Sequence, residues 1–422
     1  MGDIVIYPSF LKGELNVPPS KSIMHRAIIA SALCEGTSHI ENFACSEDIN
    51  ATLNAIKNLG STFKINTNSI DITGNGLKIK KDSIINCIES ASTLRFLIPI
   101  FSIDANNIIF TGCSSLSKRP LYPYFEIFNK QNIKYKTSEH SLPLTINGKL
   151  KPGTFYIPGN ISSQFVSGLL FALPLLNDDS KIILTTALES KGYVDLTIQL
   201  LKQFSVQVEN NNYNEFYIKG NQKYKPACLT VESDFSQAAF FLAAGALNGD
   251  ISINNLNTAS LQADKIIIDV LTKMGANINY INNSINIKKS RTHGIIFDAK
   301  NNPDLVPIIS VLASLSAGTT KIINAKRLRL KESDRLRSVY ENLKKLGCSI
   351  IENEDELIIN GAKHLNGGNI NGFNDHRIVM AFSIAALRAK APILITDKEA
   401  VKKSYPDFFK QFKSLGGIIN EY

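Results

Sequence analysis

Six nearly unbroken apolar stretches recur along the chain, and each opens on a small or polar residue. They begin at Ser22, Ser92, Ser163, Ser236, Asp304 and His376, at successive intervals of 70, 71, 73, 68 and 72 residues. A period that steady marks an internal repeat. Each stretch is long enough for a helix and apolar on every face, so it predicts a helix buried on all sides. A short strand follows, often entered through glycine, as at 36–40, 249–253 and 318–322. Next comes an amphipathic helix that stops at glycine: 48–59 with Gly60, 262–274 with Gly275, and 333–346 with Gly347. Two alternating strands close the unit, as in 61–64 with 70–73 and 276–280 with 285–288, and a strand such as 15–17 leads in. The fold class is therefore α/β, built from six β-α-β-α-β-β repeats. The sixth repeat ends early at 418–422, so the strand at 4–7 is expected to complete it. Six repeats group as two lobes of three, one spanning 18–231 and the other 1–17 with 232–422.

One charged stretch breaks this pattern: Arg327-Leu328-Arg329-Leu330-Lys331-Glu332-Ser333-Asp334-Arg335. Leu336, Val339, Tyr340, Leu343 and Leu346 recur behind it at helical spacing, which predicts a helix starting near Lys331 or Glu332. On that wheel Glu332 and Arg335 project from the apolar face. Arg327, Arg329 and Lys331 would then crowd a helix N-terminus, where the dipole disfavours cations. A bound anion resolves the conflict, because helix amides and cations would share it.

Composition narrows the setting only slightly. Hydrophobic residues make up 44% and charged residues 20% of 422, ordinary for a globular chain that forms two or three domains. The net charge of +9 admits nucleic acid, a membrane surface or small anions as partners. The six cysteines never stand as C-x-x-C, which argues against zinc and a disulfide framework and suits a reducing cytoplasm. The N-terminal residues read as a strand rather than a signal peptide, and the apolar run 165–176 is too short to span a bilayer.

The remaining chemistry gathers where the buried helices begin. Ser22 and Arg26 lie one turn apart on a face shared with Ile29, Ala30 and Leu33, so Arg26 starts on a buried face and needs a partner. Comparable donors and cations stand at Ser90-Ala91-Ser92, Ser162-Ser163-Gln164, Asn374-Asp375-His376-Arg377 and Lys402-Lys403. If helix starts from both lobes face one another across a cleft, that cleft is an anion trap. A basic nucleic-acid binder is the competing reading. Against it, these cations sit on inward faces without an aromatic stacking platform.

Taken together, the motifs identify a family. K-S-x-x-x-R opens at Lys21 and closes at Arg26, S-S-Q ends at Gln164, and R-L-R-L-K-E-S-D-R ends at Arg335. N-D-H-R ends at Arg377 and K-S-Y-P-D starts at Lys403. In order and spacing the chain resembles the 5-enolpyruvylshikimate-3-phosphate synthases, members of the enolpyruvyl transferases. UDP-N-acetylglucosamine enolpyruvyl transferase shares the fold and is the alternative within it. The resemblance implies two lobes of three repeats with the active site in the cleft between them. It implies transfer of the enolpyruvyl group of phosphoenolpyruvate to the 5-hydroxyl of shikimate 3-phosphate by a cytoplasmic monomer. No metal or organic cofactor, nucleic acid or membrane partner is implied.

Site residues carry over by motif. The resemblance implies that Lys21, Ser22, Arg26, Ser162, Ser163, Ser190, Tyr193, Asp304, Arg327 and Lys331 contact shikimate 3-phosphate. It implies that Lys21, Ala91, Arg119, Gln164, Arg335, His376, Arg377 and Lys403 contact phosphoenolpyruvate. Catalysis would fall to Glu332 as acid and base on the methylene carbon, Lys21 assisting it, and Asp304 holding and deprotonating the attacking hydroxyl. Two positions depart from the family pattern. Ala91 takes the place of a glycine, and Arg327 stands where some relatives have asparagine.

Overall fold

A computed structural model describes residues 2–281 and 284–421. The chain forms two compact units, Met1–Ser20 with Glu232–Tyr422, and Lys21–Val231. Each has its own continuous apolar core. Among the described residues there are six four-stranded sheets, three in each unit. In each sheet an edge strand runs parallel to the strand after the buried helix, and two further antiparallel strands complete it. Thr154–Ile157, Ser180–Leu184, Glu215–Ile218 and Glu209–Asn211 show the pattern in that order.

The six apolar stretches are the helices Lys21–Ala32, Ala91–Phe101, Ser163–Ala172, Phe235–Asn248, Val306–Ser314 and His376–Ala385. Every residue of Val306–Ser314 and of His376–Ala385 is buried, as an all-round apolar surface requires. Polar side chains satisfy the first N–H groups of four of these helices. Ser90 accepts from Thr93, Ser162 from Gln164, Asp234 from Ser236 and Gln237, and Asp375 from Arg377. Helix Ala91–Phe101 packs closely on Ser163–Ala172 because Gly168 has no side chain: a Cβ there would meet the Arg95 carbonyl oxygen at 2.4 Å. The glycine stops also hold, with Gly60 at φ 81° and Gly347 at φ 82°.

Two expectations are corrected. The strand Leu11–Asn16 does not lead into the first repeat; it pairs with Gly249–Asn254 in the fourth. The first repeat takes Cys228–Thr230, from the C-terminal end of the Lys21–Val231 segment, beside Glu35–Glu41 instead. Hydrogen bonds from Ser20 N–H to the Glu232 carbonyl and from Asp234 N–H to the Pro18 carbonyl fix that crossover. Helical spacing could not reveal this, because either strand fits either sheet. Ile4–Tyr7 does complete the sixth sheet, between Ile393–Ile395 and Ile418–Glu421, while Tyr422 lies outside the described residues.

The second correction concerns the charged stretch. A 3₁₀ turn occupies Lys326–Leu330, Lys331 is extended, and the α-helix starts only at Arg335. Asp334 sets this boundary by accepting the Arg337 N–H, so Glu332 lies outside the helix and its expected wheel position does not apply. Asp334 and Glu352, at 2.9 and 2.7 Å from Arg329, also relieve the crowding of cations there. Among the described residues no helix is long and apolar enough to cross a membrane.

Candidate active site

In the Lys21–Val231 unit the helix starts gather a first polar group. Lys21 opens its helix with its ammonium 2.6 Å from Asp48. Arg26, one turn further in, is 2% exposed. Its guanidinium donates to Thr197 Oγ1 at 2.7 Å, to the Ser22 carbonyl at 2.7 Å and to the Tyr193 carbonyl at 2.9 Å, and lies over the Phe96 ring. All these partners are neutral. Burial lowers the Arg26 guanidinium to about 10, with Tyr193 opposing, so the group stays charged at neutral pH. A buried cation with only neutral acceptors among the described residues is a natural counter-charge for an anion. Ser190 adopts the left-handed conformation, φ 56°, immediately before the helix Lys191–Gln203 that carries Tyr193 and Thr197.

Ser162 and Gln164 meet a residue without an expected role, Arg95. Its guanidinium donates to Gln164 Oε1 at 2.9 Å and to Ser162 Oγ at 3.4 Å. Gln164 in turn donates to Ser92 Oγ at 3.0 Å, beside Ala91. Ser163 is buried in the same turn, and Arg119 is buried at the end of the short helix Ser114–Ser117. The signal for Arg95 was present: it is a cation inside a helix whose other residues from Leu94 to Phe101 are apolar.

The other unit holds a dense ionic network around Asp304. Arg335 lies 2.8 Å, Arg377 3.2 Å and Lys331 3.3 Å from its carboxylate. Arg335, only 1% exposed, also reaches Glu332 at 2.6 Å and Asp375 at 2.8 Å. Arg327 donates to the Lys300 carbonyl at 2.7 Å, and Lys403 to the Asn374 carbonyl. His376 is buried, 3.9 Å from Asp375. The expected residues Asp304, Lys331, Glu332, Arg335 and Arg377 thus stand in one connected group, with His376 and Lys403 bordering it through Asn374 and Asp375.

Two carboxylates carried no expected role. Asp375 is fully buried and binds Arg335, Ser333 and the start of helix His376–Ala385. Asp264 is also buried, held by Ser236 Oγ and Asn302 Nδ2. The N-D-H-R string contains Asp375, but only coordinates show that it faces Arg335.

Electrostatics separates these acids. Burial alone would raise the Asp304 carboxyl, but Arg377, Lys331 and Arg335 outweigh it and hold it well below the usual carboxylate range. Burial, followed by the neighbouring Asp304 charge, pushes the Asp264 carboxyl up. Burial also lowers the Lys331 amine, with Asp304 opposing. A depressed folded-state value means that Asp304 stabilises the fold above the unfolded aspartate value of about 3.9, and that this contribution is lost as pH falls further. The stability difference between the native chain and Asp304→Asn should therefore be constant from neutral pH down to about pH 5 and shrink towards pH 3. Urea midpoints across that range check it, and a difference that grows on acidification would contradict the assignment.

Comparison with known proteins identifies the family. The family model for EPSP synthase (3-phosphoshikimate 1-carboxyvinyltransferase) matches residues 6–412. The chain is 52% identical to the 3-phosphoshikimate 1-carboxyvinyltransferase of Clostridium novyi, covering all of this chain and 99% of that protein. It is 50% identical to the enzyme of the same name from Clostridium kluyveri, covering 99% and 98%. Among solved structures it is similar to the EPSP synthase of Acinetobacter baumannii, at a TM-score of 0.83 and 28% identity over the whole of both chains. The repeated α/β architecture, the charged motif around Glu332 and these matches place the chain in the EPSP synthase (3-phosphoshikimate 1-carboxyvinyltransferase) family.

Proposed function

We propose that this enzyme transfers the enolpyruvyl group of phosphoenolpyruvate to the 5-hydroxyl of shikimate 3-phosphate and releases phosphate. One observation carries the chemical reading: a carboxylate, Glu332, is fixed 2.6 Å from a buried guanidinium within a cluster of cations. Both substrates bear a phosphate and a carboxylate, so binding them needs several cations at once. Ser22, Arg26, Ser162, Ser163, Ser190, Tyr193, Arg327 and Lys331 are assigned to shikimate 3-phosphate. Ala91, Arg119, Gln164, Arg335, His376, Arg377 and Lys403 are assigned to phosphoenolpyruvate, and Lys21 touches both.

The reaction is addition followed by elimination. Glu332, with Lys21 assisting, gives a proton to the methylene carbon while the 5-hydroxyl oxygen bonds to the adjacent carbon. The tetrahedral adduct then loses phosphate as Glu332 recovers a proton from the new methyl group. No side-chain nucleophile is needed. Asp304 holds the attacking hydroxyl and takes its proton as the new C–O bond forms, and that proton then leaves with the released phosphate. Its depressed carboxyl is a weak base while Arg377 and Lys331 face it, and substrate anions that engage those cations restore some of its basicity. Guanidinium groups offset the mutual repulsion of the two anions and hold them in attack geometry. The enzyme works as a cytoplasmic monomer, and its six cysteines are free thiols.

Phosphate release measured with shikimate 3-phosphate beside UDP-N-acetylglucosamine as acceptor tests the assignment. Turnover with the first and none with the second is expected, and the reverse would transfer the chain to the sister activity. The family match favours the first acceptor.

Ala91 yields a further expectation within this reading. It is the first residue of its helix, directly after the capping Ser90. The glycine that relatives carry there lies against the phosphoenolpyruvate site, where the herbicide glyphosate also binds. A methyl group at this position strains the longer inhibitor by roughly 1–3 kcal/mol, weakening inhibition by about tenfold to a hundredfold. Ala91→Gly should therefore sensitise the enzyme. Glyphosate inhibition constants measured at matched phosphoenolpyruvate saturation check this, and equal constants would show that the methyl does not reach the inhibitor.

A further inference from the structure

Beneath the start of helix Ala91–Phe101 runs a buried chain of four hydrogen-bonding side chains. His25 Nδ1 lies 2.7 Å from Thr52 Oγ1, Thr52 Oγ1 lies 2.7 Å from Thr93 Oγ1, and Thr93 Oγ1 donates to Ser90 Oγ at 2.7 Å. His25, Thr52, Thr93 and Ser90 are each no more than 1% exposed. The helices Lys21–Ala32 and Glu47–Ile56 supply the first two residues.

Counting protons fixes the direction. A hydroxyl has one proton, and that of Thr93 goes to Ser90. The proton between Thr52 and Thr93 must then come from Thr52. Its other acceptor, the Asp48 carbonyl, is much further away at 3.5 Å. Thr52 therefore has nothing left to give His25 and must accept. The imidazole is thus the Nδ1–H tautomer, with a bare lone pair on Nε2. That Nε2 is buried and has no hydrogen-bond partner among the described residues. Burial, then the charges of Lys21 and Arg26, keep the ring neutral, consistent with a single donated proton.

The chain ends at a functional position. Ser90 Oγ accepts both the Thr93 hydroxyl and the Thr93 N–H, which places it as the helix cap. On the other side of Ala91, Ser92 Oγ accepts from Gln164, which is itself held by Arg95. Ala91 and Ser92 carry the first N–H groups of the helix, which lack intrahelical acceptors and suit an anion. The two networks pin this turn from both flanks.

We propose that His25 is a positioning residue for phosphoenolpyruvate: as the Nδ1–H tautomer it starts a one-way chain through Thr52 and Thr93 that sets Ser90 and aims the first N–H groups of helix Ala91–Phe101 at the substrate. This rests on the reaction assigned above. A structural filler would not need an imidazole, since a buried aliphatic side chain packs without leaving Nε2 unpaired.

Thr52→Val keeps the shape and removes both links. The expected result is a phosphoenolpyruvate KM raised about three- to tenfold, with kcat and the shikimate 3-phosphate KM within about twofold of native, and recovery in Thr52→Ser. An unchanged phosphoenolpyruvate KM would overturn the proposal, as would both KM values rising together. Independently of activity, a two-bond proton–nitrogen spectrum of histidine-labelled native protein should show His25 protonated at Nδ1 and bare at Nε2. The opposite tautomer would break the chain and end the proposal. If the native protein released no phosphate from the substrate pair, the assigned reaction would fail instead, while the spectrum would still decide the chain.

Discussion

Glu332→Gln should lower turnover by about 100-fold or more while leaving both substrates bound nearly as well as by the native enzyme. Glutamine keeps the length of the side chain and an oxygen that can still accept from Arg335, which lies 2.6 Å away. It loses the proton that would be delivered to the methylene carbon. Arg335 would retain Asp375 at 2.8 Å and Asp304 at 2.8 Å, so the guanidinium should stay in place. The effect should therefore fall on kcat rather than on KM. A variant with near-native kcat would remove Glu332 from the acid/base role. A variant whose KM values rise together with a fall in kcat would point to a displaced Arg335 instead.

Much of this arrangement was legible in the residues because the repeat is written in hydropathy. An all-round apolar stretch every seventy residues or so has few structural solutions, and the six buried helices follow directly. Strand exchange was not legible. Leu11–Asn16 and Cys228–Thr230 are both short strands leading towards an apolar helix, and only pairing tells which sheet each joins. The start of helix Arg335–Lys345 was misplaced for a local reason. Periodicity continues through Glu332 on a wheel, but Asp334 is the better cap, and capping overrides periodicity at a boundary.

The site shows the same division. Cations and serines at helix starts are visible as exceptions in apolar runs, so Arg26, Gln164, Arg335 and Arg377 could be singled out. Their partners could not. Asp375, Asp264, Arg95 and His25 act through contacts with residues 40, 28, 69 and 27 positions away. Spacing arguments reach only one or two helical turns, so these partners emerge only when the helices are packed.

The largest loss of stability should come from Asp375→Ala. Arg335 is 1% exposed and Asp375 fully buried, so water cannot replace the carboxylate when it is removed. The guanidinium would lose its acceptors at Nε (2.8 Å) and on one side of its terminal nitrogen (3.2 Å), and Ser333 would lose one at 3.1 Å. Glu332 and Asp304 would remain on the other edge, so the charge would be under-compensated rather than bare. Breaking a buried pair from one side costs about 3–5 kcal/mol. The same substitution removes the cap that accepts the Arg377 N–H, which adds about 1 kcal/mol. Asp375→Asn keeps the shape and the capping oxygen, so it should lie between the native chain and the alanine variant. Urea unfolding of all three proteins tests the order. A midpoint for Asp375→Ala equal to the native value would mean that Glu332 and Asp304 alone satisfy Arg335. An Asn variant as unstable as the Ala variant would assign the loss to the charge, with the cap contributing nothing measurable.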